Sequence, residues 1–142
     1  MTQTARVSII ILAQYPIWFN DALSSALAQD YPHCDILIAD CSGDKFIGNL
    51  LTARTGRDRF PVTHTIFDRH QQDICDASVR LVEGEYIKFL SHAERLEPNC
   101  ISQLVAGLQA RPECRIAASK RQRLDPHGKI LPDVLNTAPL YN

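Results

Sequence analysis

Asp35-Ile36-Leu37-Ile38-Ala39 runs straight into Asp40-Cys41-Ser42-Gly43-Asp44, and the fold is decided at that junction. A short continuous apolar run suits a strand buried on both faces of a parallel sheet. The turn and capping residues after it deliver the chain into a loop and then a helix, whose apolar positions are Phe46, Ile47, Leu50 and Leu51. Upstream, Val7-Ser8-Ile9-Ile10-Ile11-Leu12 repeats the pattern as a first central strand. Phe19, Ala22, Leu23, Ala26 and Leu27 then recur at helical spacing and stop before Tyr31-Pro32. Downstream, Pro61 to Phe67 reads as a third strand, and Ile74, Ala77, Ser78, Leu81 and Val82 as a helix closing at Gly84. Tyr86-Ile87-Lys88-Phe89-Leu90 reads as a fourth strand. Pro98 opens a last helix carrying Ile101, Leu104, Val105 and Leu108. Arg115 to Ser119 is a candidate strand, with Asp125-Pro126-His127-Gly128 as the turn into a returning arm at Lys129-Ile130-Leu131.

Strands alternating with helices predict an α/β fold with a three-layer, mainly parallel sheet and right-handed crossovers. Ligands in such sheets bind beyond the carboxyl ends of the strands. That rule selects the loops Ala13 to Trp18, Asp40 to Asp44, Phe67 to Asp73 and Ser91 to Glu97.

Composition narrows the function. The 142 residues fit one domain, residues 1–142, with 45% apolar and 22% charged side chains, ordinary for a globular chain. A net charge of -1 supplies no field for nucleic acid, and no aromatic platform interleaves the basic groups Arg54, Arg57, Arg59 or Arg115, Lys120, Arg121, Arg123. Both groups read as solvated surface charge. The five cysteines form no CxxC pair and point to neither zinc nor a complete disulfide set. Val7 to Ala13 is too short for a membrane span or signal peptide, so the expected location is cytoplasmic, with a peripheral place at the inner face of a membrane as an option.

In order and spacing, Val7-Ser8-Ile9-Ile10-Ile11, Ala22 to Pro32, Ile36 to Ser42, and Gly84 to Leu90 with Glu97-Pro98 resemble the inverting family 2 glycosyltransferases of the nucleotide-diphospho-sugar, GT-A, Rossmann-like fold. The resemblance implies transfer of a sugar from a nucleotide-diphosphate donor to an acceptor hydroxyl, as in polysaccharide biosynthesis. It implies a UDP-sugar donor, a saccharide or glycoconjugate acceptor, and Mn2+ or Mg2+ as cofactor. By position, Asp40 matches the aspartate that accepts a hydrogen bond from the base; capping of the following turn is the alternative reading of the same residue. Tyr15 is available to stack on the base, and Arg69 with His70 to pair with phosphate.

Departures from the family pattern gather where the chemistry should be. The stretch matching its DXD metal motif reads Ser91-His92-Ala93-Glu94, and Ala93, at the expected ligand position, has no donor atom. His92 and Glu94 are the remaining metal candidates, although imidazole suits zinc-like ions better than Mg2+. Cys75-Asp76 and Ser78 replace the family's Arg-Asn pair and glycine, so an acidic group stands where a diphosphate is expected. Trp18 and Phe19 read as helix-entry packing. No catalytic base stands out after Glu113; Asp125 and Asp133 lie in turn-like contexts. The expectation is a glycosyltransferase-like domain with eroded motifs, truncated from a longer chain and weakly active or inactive alone. A non-catalytic module for a partner protein or for homo-oligomerisation is the alternative.

Overall fold

The computed structural model describes residues 4–54 and 56–132. The chain divides into two compact units, Met1–Gln103 and Leu104–Asn142. The first contains β1 (Val7–Ala13), α1 (Phe19–Leu27), β2 (Cys34–Asp40), α2 (Phe46–Ala53), β3 (Val62–Ile66), α3 (Ile74–Val79) and β4 (Tyr86–Ser91), and it ends within α4 (Cys100–Ala110). The second holds the rest of α4 and a hairpin of β5 (Arg123–Leu124) and β6 (Ile130–Leu131).

The sheet order is β3-β2-β1-β4 with every pair parallel. The fold is therefore the expected α/β class. Central position explains the two apolar runs: Ile9, Ile10 and Ile11 are fully buried, and every residue of β2 is buried. Burying one such side chain is worth about 1.5–3 kcal/mol. Alternation splits them between two helical layers. Ile10, Leu37 and Ala39 form a cluster against which Ile74, Val79 and Val82 pack, so α3 covers that face. Right-handed crossovers from β1 to β2 and from β2 to β3 put α1 and α2 on the other face. There Phe19, Ala22, Leu23, Ala26 and Ile47 are buried.

Three expectations need correction. Gly84 does not close a helix, because α3 ends at Val79. Its small size serves a close approach instead: its amide donates to Ser8 Oγ at 3.0 Å. A Cβ built on it would lie 2.5 Å from the Ser8 amide nitrogen. Residues Arg115 to Ser119 form no strand; the hairpin's first arm is Arg123–Leu124, and Ile116 is exposed. A run with so little apolar surface to bury has nothing to hold it extended. Phe19 packs as expected, but Trp18 is 48% exposed and left-handed, with φ of 61°. The chain turns there so that Phe19, not Trp18, enters the core.

The basic groups are also less free than charge alone suggested. Arg54 pairs with Asp58 at 2.8 Å, and Arg59 donates to the Gln29 carbonyl at 2.5 Å while lying over the Phe60 ring. Among the described residues no helix is long and apolar enough to cross a membrane.

Candidate functional site at the carboxyl ends of the strands

Hydrogen bonds continue past the strand ends in one row. The Phe67 amide donates to Asp40 O at 2.7 Å, Cys41 to Ala13 O at 3.0 Å, and His92 to Leu12 O at 3.2 Å. The loops carrying Tyr15, Asp40, Arg69, His92 and Glu94 therefore all leave one end of the sheet. The order β3-β2-β1-β4 also places a topological switch between β1 and β4, since β1 connects onward through α1 to β2 while β4 is entered through α3 from the far edge. Crevices at such points take ligands.

Asp40 is the centre of a buried network. Its Oδ1 accepts from the Ser42 amide at 3.0 Å and from Ser42 Oγ at 2.6 Å. Its Oδ2 lies 2.8 Å from His64 Nε2. The side chain is only 3% exposed. Asp40 holds the following turn, as one of its two readings expected, and of about four acceptor sites on a carboxylate three are taken, leaving one lone pair on Oδ2. His64 reaches Asp40 because Ile38 pairs with His64 in register, so that His64 and Asp40 share the α1 and α2 face. Sequence reading missed His64. Its one signal was a polar residue at an alternating position of β3, which has no meaning until the register is known.

The turn then builds α2. Gly43 takes φ of 68°, which favours glycine, and Asp44 Oδ1 accepts the Phe46 amide at 2.8 Å. The exposed Arg69 lays its aliphatic stem along Gly43, 3.3 Å from where a Cβ would stand, which joins the β2–α2 and β3–α3 loops. His70 is exposed, and its amide caps onto Asp68. Burial pushes the Cys41 thiol up, and the neighbouring Asp40 charge adds to this. Cys34, at the opposite end of β2, is pushed to about 11 by burial and then by the charge of Asp35.

On the β1–β4 side, Tyr15 is 54% exposed and its ring meets His92 edge to face at 5.5 Å. His92 Nδ1 is buried with no hydrogen-bond partner among the described residues. Leaving such a group unsatisfied costs about 1–3 kcal/mol. Glu94 does not assist it, because its Oε2 turns back to accept the Ser91 amide at 3.0 Å. No group of three or more His, Cys, Asp or Glu side chains that could hold a metal is present among the described residues. A hard cation needs several oxygen donors, so one imidazole and one committed carboxylate do not fit Mn2+ or Mg2+.

A second missed residue supports this loop. Gln29 is fully buried; its Nε2 donates to Glu97 O at 2.8 Å, and its Oε1 accepts the Ile101 amide at 3.0 Å. Ser25 Oγ accepts the Leu96 amide at 3.1 Å. The segment after β4 is thereby fastened to α1. Asp125, in the hairpin, accepts the His127 and Lys129 amides and serves its turn. Asp133 lies outside the described residues.

No family profile matches the chain. It is 24% identical over 111 residues to the uncharacterized protein y4gI of Sinorhizobium fredii, covering 77% of this chain and 12% of that protein. Among solved structures it is similar to S. aureus TarS residues 1–349 in complex with UDP-GlcNAc, with a TM-score of 0.63, 15% identity, and coverage of 75% of this chain and 32% of that one. The complex of the same fragment with UDP gives a TM-score of 0.62 at 14% identity, covering 75% and 33%. The chain thus spans about a third of the TarS fragment. What the likeness shows is the fold, the α/β arrangement with a parallel four-stranded sheet.

Proposed function

We propose that residues 1–142 are the nucleotide-binding half of a family 2 type glycosyltransferase domain, holding a UDP-sugar donor and weakly active or inactive without further sequence. The observation that carries this is the convergence of Tyr15, Asp40, Arg69 and His92 at one end of a sheet shared with TarS, which was solved bound to UDP-GlcNAc. In this reading the half-exposed Tyr15 ring stacks on the base and the Arg69 guanidinium pairs with phosphate oxygens. Asp40 offers its one remaining lone pair on Oδ2 to the base. A single acceptor suits the imide N–H of uracil and fails to match the two-donor edge of guanine.

A docking module without catalysis is the second reading, favoured by β4. It is an edge strand whose Ile87 and Phe89 are each more than a third exposed. Calorimetric titration of the chain with UDP and GDP separates the two. UDP is expected to bind saturably, with GDP weaker by about tenfold or more, the worth of one unmatched buried donor. If neither nucleotide gives heat while sedimentation shows self-association, the docking reading replaces the first.

A further inference from the structure

We infer that His92 does for the donor's diphosphate what a metal ion was expected to do: Nδ1–H of its imidazole donates to a phosphate oxygen, and nucleotide binding by this chain is independent of divalent cations. This rests on the donor-binding reading above and extends it to the way charge is met.

Three observations carry it. His92 stands at the end of β4, beside the β1–β4 switch, where the strand end meets the loop bearing Tyr15. Its Nδ1 is buried and unsatisfied, so the fold holds ready a polar atom that no group among the described residues uses. The carboxylate nearest in sequence, Glu94, is committed to the Ser91 amide, and Ala93 has none. Among the described residues no cluster of acidic side chains stands beside His92 to hold a cation against a diphosphate. Tyr15, itself half-exposed, meets the imidazole edge to face, so the aromatic side chain proposed to stack on the base adjoins the proposed phosphate donor. Arg69, across the β2–α2 loop, supplies positive charge on the adjoining rim.

The test is equilibrium titration of the full chain with UDP and with uridine, in EDTA and in Mn2+, for the wild type, His92→Phe and His92→Asn. Phenylalanine keeps the ring against Tyr15 and removes the nitrogen; asparagine keeps an N–H donor close to the place of Nδ1. UDP affinity is expected to be the same in EDTA and Mn2+, to fall about tenfold in His92→Phe, and to recover to within about threefold in His92→Asn. Uridine binding should not change in any of them. Because the lost nitrogen had no partner, His92→Phe should unfold at no lower urea concentration than the wild type.

The imidazole 15N resonances of the wild type give a reading that needs no variant, and UDP but not uridine should move them. Loss of UDP binding in EDTA, a His92→Phe affinity equal to the wild type, or unmoved imidazole resonances would overturn the inference and leave donor binding standing. Failure of the wild type to bind UDP under any condition would remove both.

Discussion

Gly84→Ala is expected to lower folding stability by about 3 kcal/mol, the upper range for forcing a methyl group into a filled site. The added Cβ would meet the Ser8 amide nitrogen at 2.5 Å, Ser8 Oγ at 2.6 Å and the Tyr86 carbonyl oxygen at 2.7 Å. Two of those atoms are backbone of the adjacent strands β1 and β4, so no flexible side chain can yield. Relief requires the entry of β4 to move off β1, which also breaks the 3.0 Å bond from the Gly84 amide to Ser8 Oγ. Ser8 is fully buried, and its hydroxyl then has no replacement from water. Urea unfolding measures the loss directly. A variant with an unchanged midpoint would mean that the β1–β4 seam is looser than described here.

Asp40→Ala is expected to be comparably damaging, by about 3 kcal/mol, because it removes the shared acceptor of three donors at once. The Ser42 amide, Ser42 Oγ and His64 Nε2 all meet this one carboxylate, and Ser42 is itself buried. Asp40→Asn should lose only about 1 kcal/mol, since it keeps an oxygen for Ser42 while an imidazole can accept from the new amide in its other tautomer. The contrast matters for function. Lost nucleotide binding in Asp40→Ala would report a collapsed turn as readily as a lost contact, whereas Asp40→Asn, which stays folded, isolates the acceptor on Oδ2. Equal stability of the alanine variant and the wild type, read by urea unfolding, would refute the network.

These two residues also mark what the sequence can and cannot reveal. The strands were legible because β1 and β2 lie in the middle of the sheet, where both faces are buried and the chain must be apolar throughout. Their ends were misjudged by about a residue only, as at Ala13 and Asp40. Gly84 was legible as a special position but not for its reason, since a helix cap and a close approach both select glycine. Asp40 was legible as either turn cap or ligand acceptor. Its partner His64 lies 24 residues away, and only the β2–β3 register brings the two together. Gln29 was part of the motif carrying the family resemblance, yet its task of fastening the segment after β4 depends on Glu97 and Ile101, distant in sequence. Local pattern fixes elements; the site is made by long-range hydrogen bonds that no local pattern contains.

The segment at the end of β4 has a second reading. Ser91-His92-Ala93-Glu94 looked like erosion because it was compared with a metal site. In the fold, Glu94 Oε2 accepts the amide at the end of β4 and His92 keeps a nitrogen without a partner among the described residues.

The central proposal is that a nucleoside diphosphate binds across the carboxyl ends of β1, β2 and β4. Mapping UDP onto the backbone amide 1H–15N spectrum of the chain tests it most directly. The expected result is saturable shifts confined to residues 13–18, 40–44, 67–70 and 91–94, with the opposite end of the sheet, around Arg6 and its 2.6 Å bond to Asp35, unmoved. Shifts centred on the exposed face of β4 or on the hairpin, or no shifts at all, would contradict it.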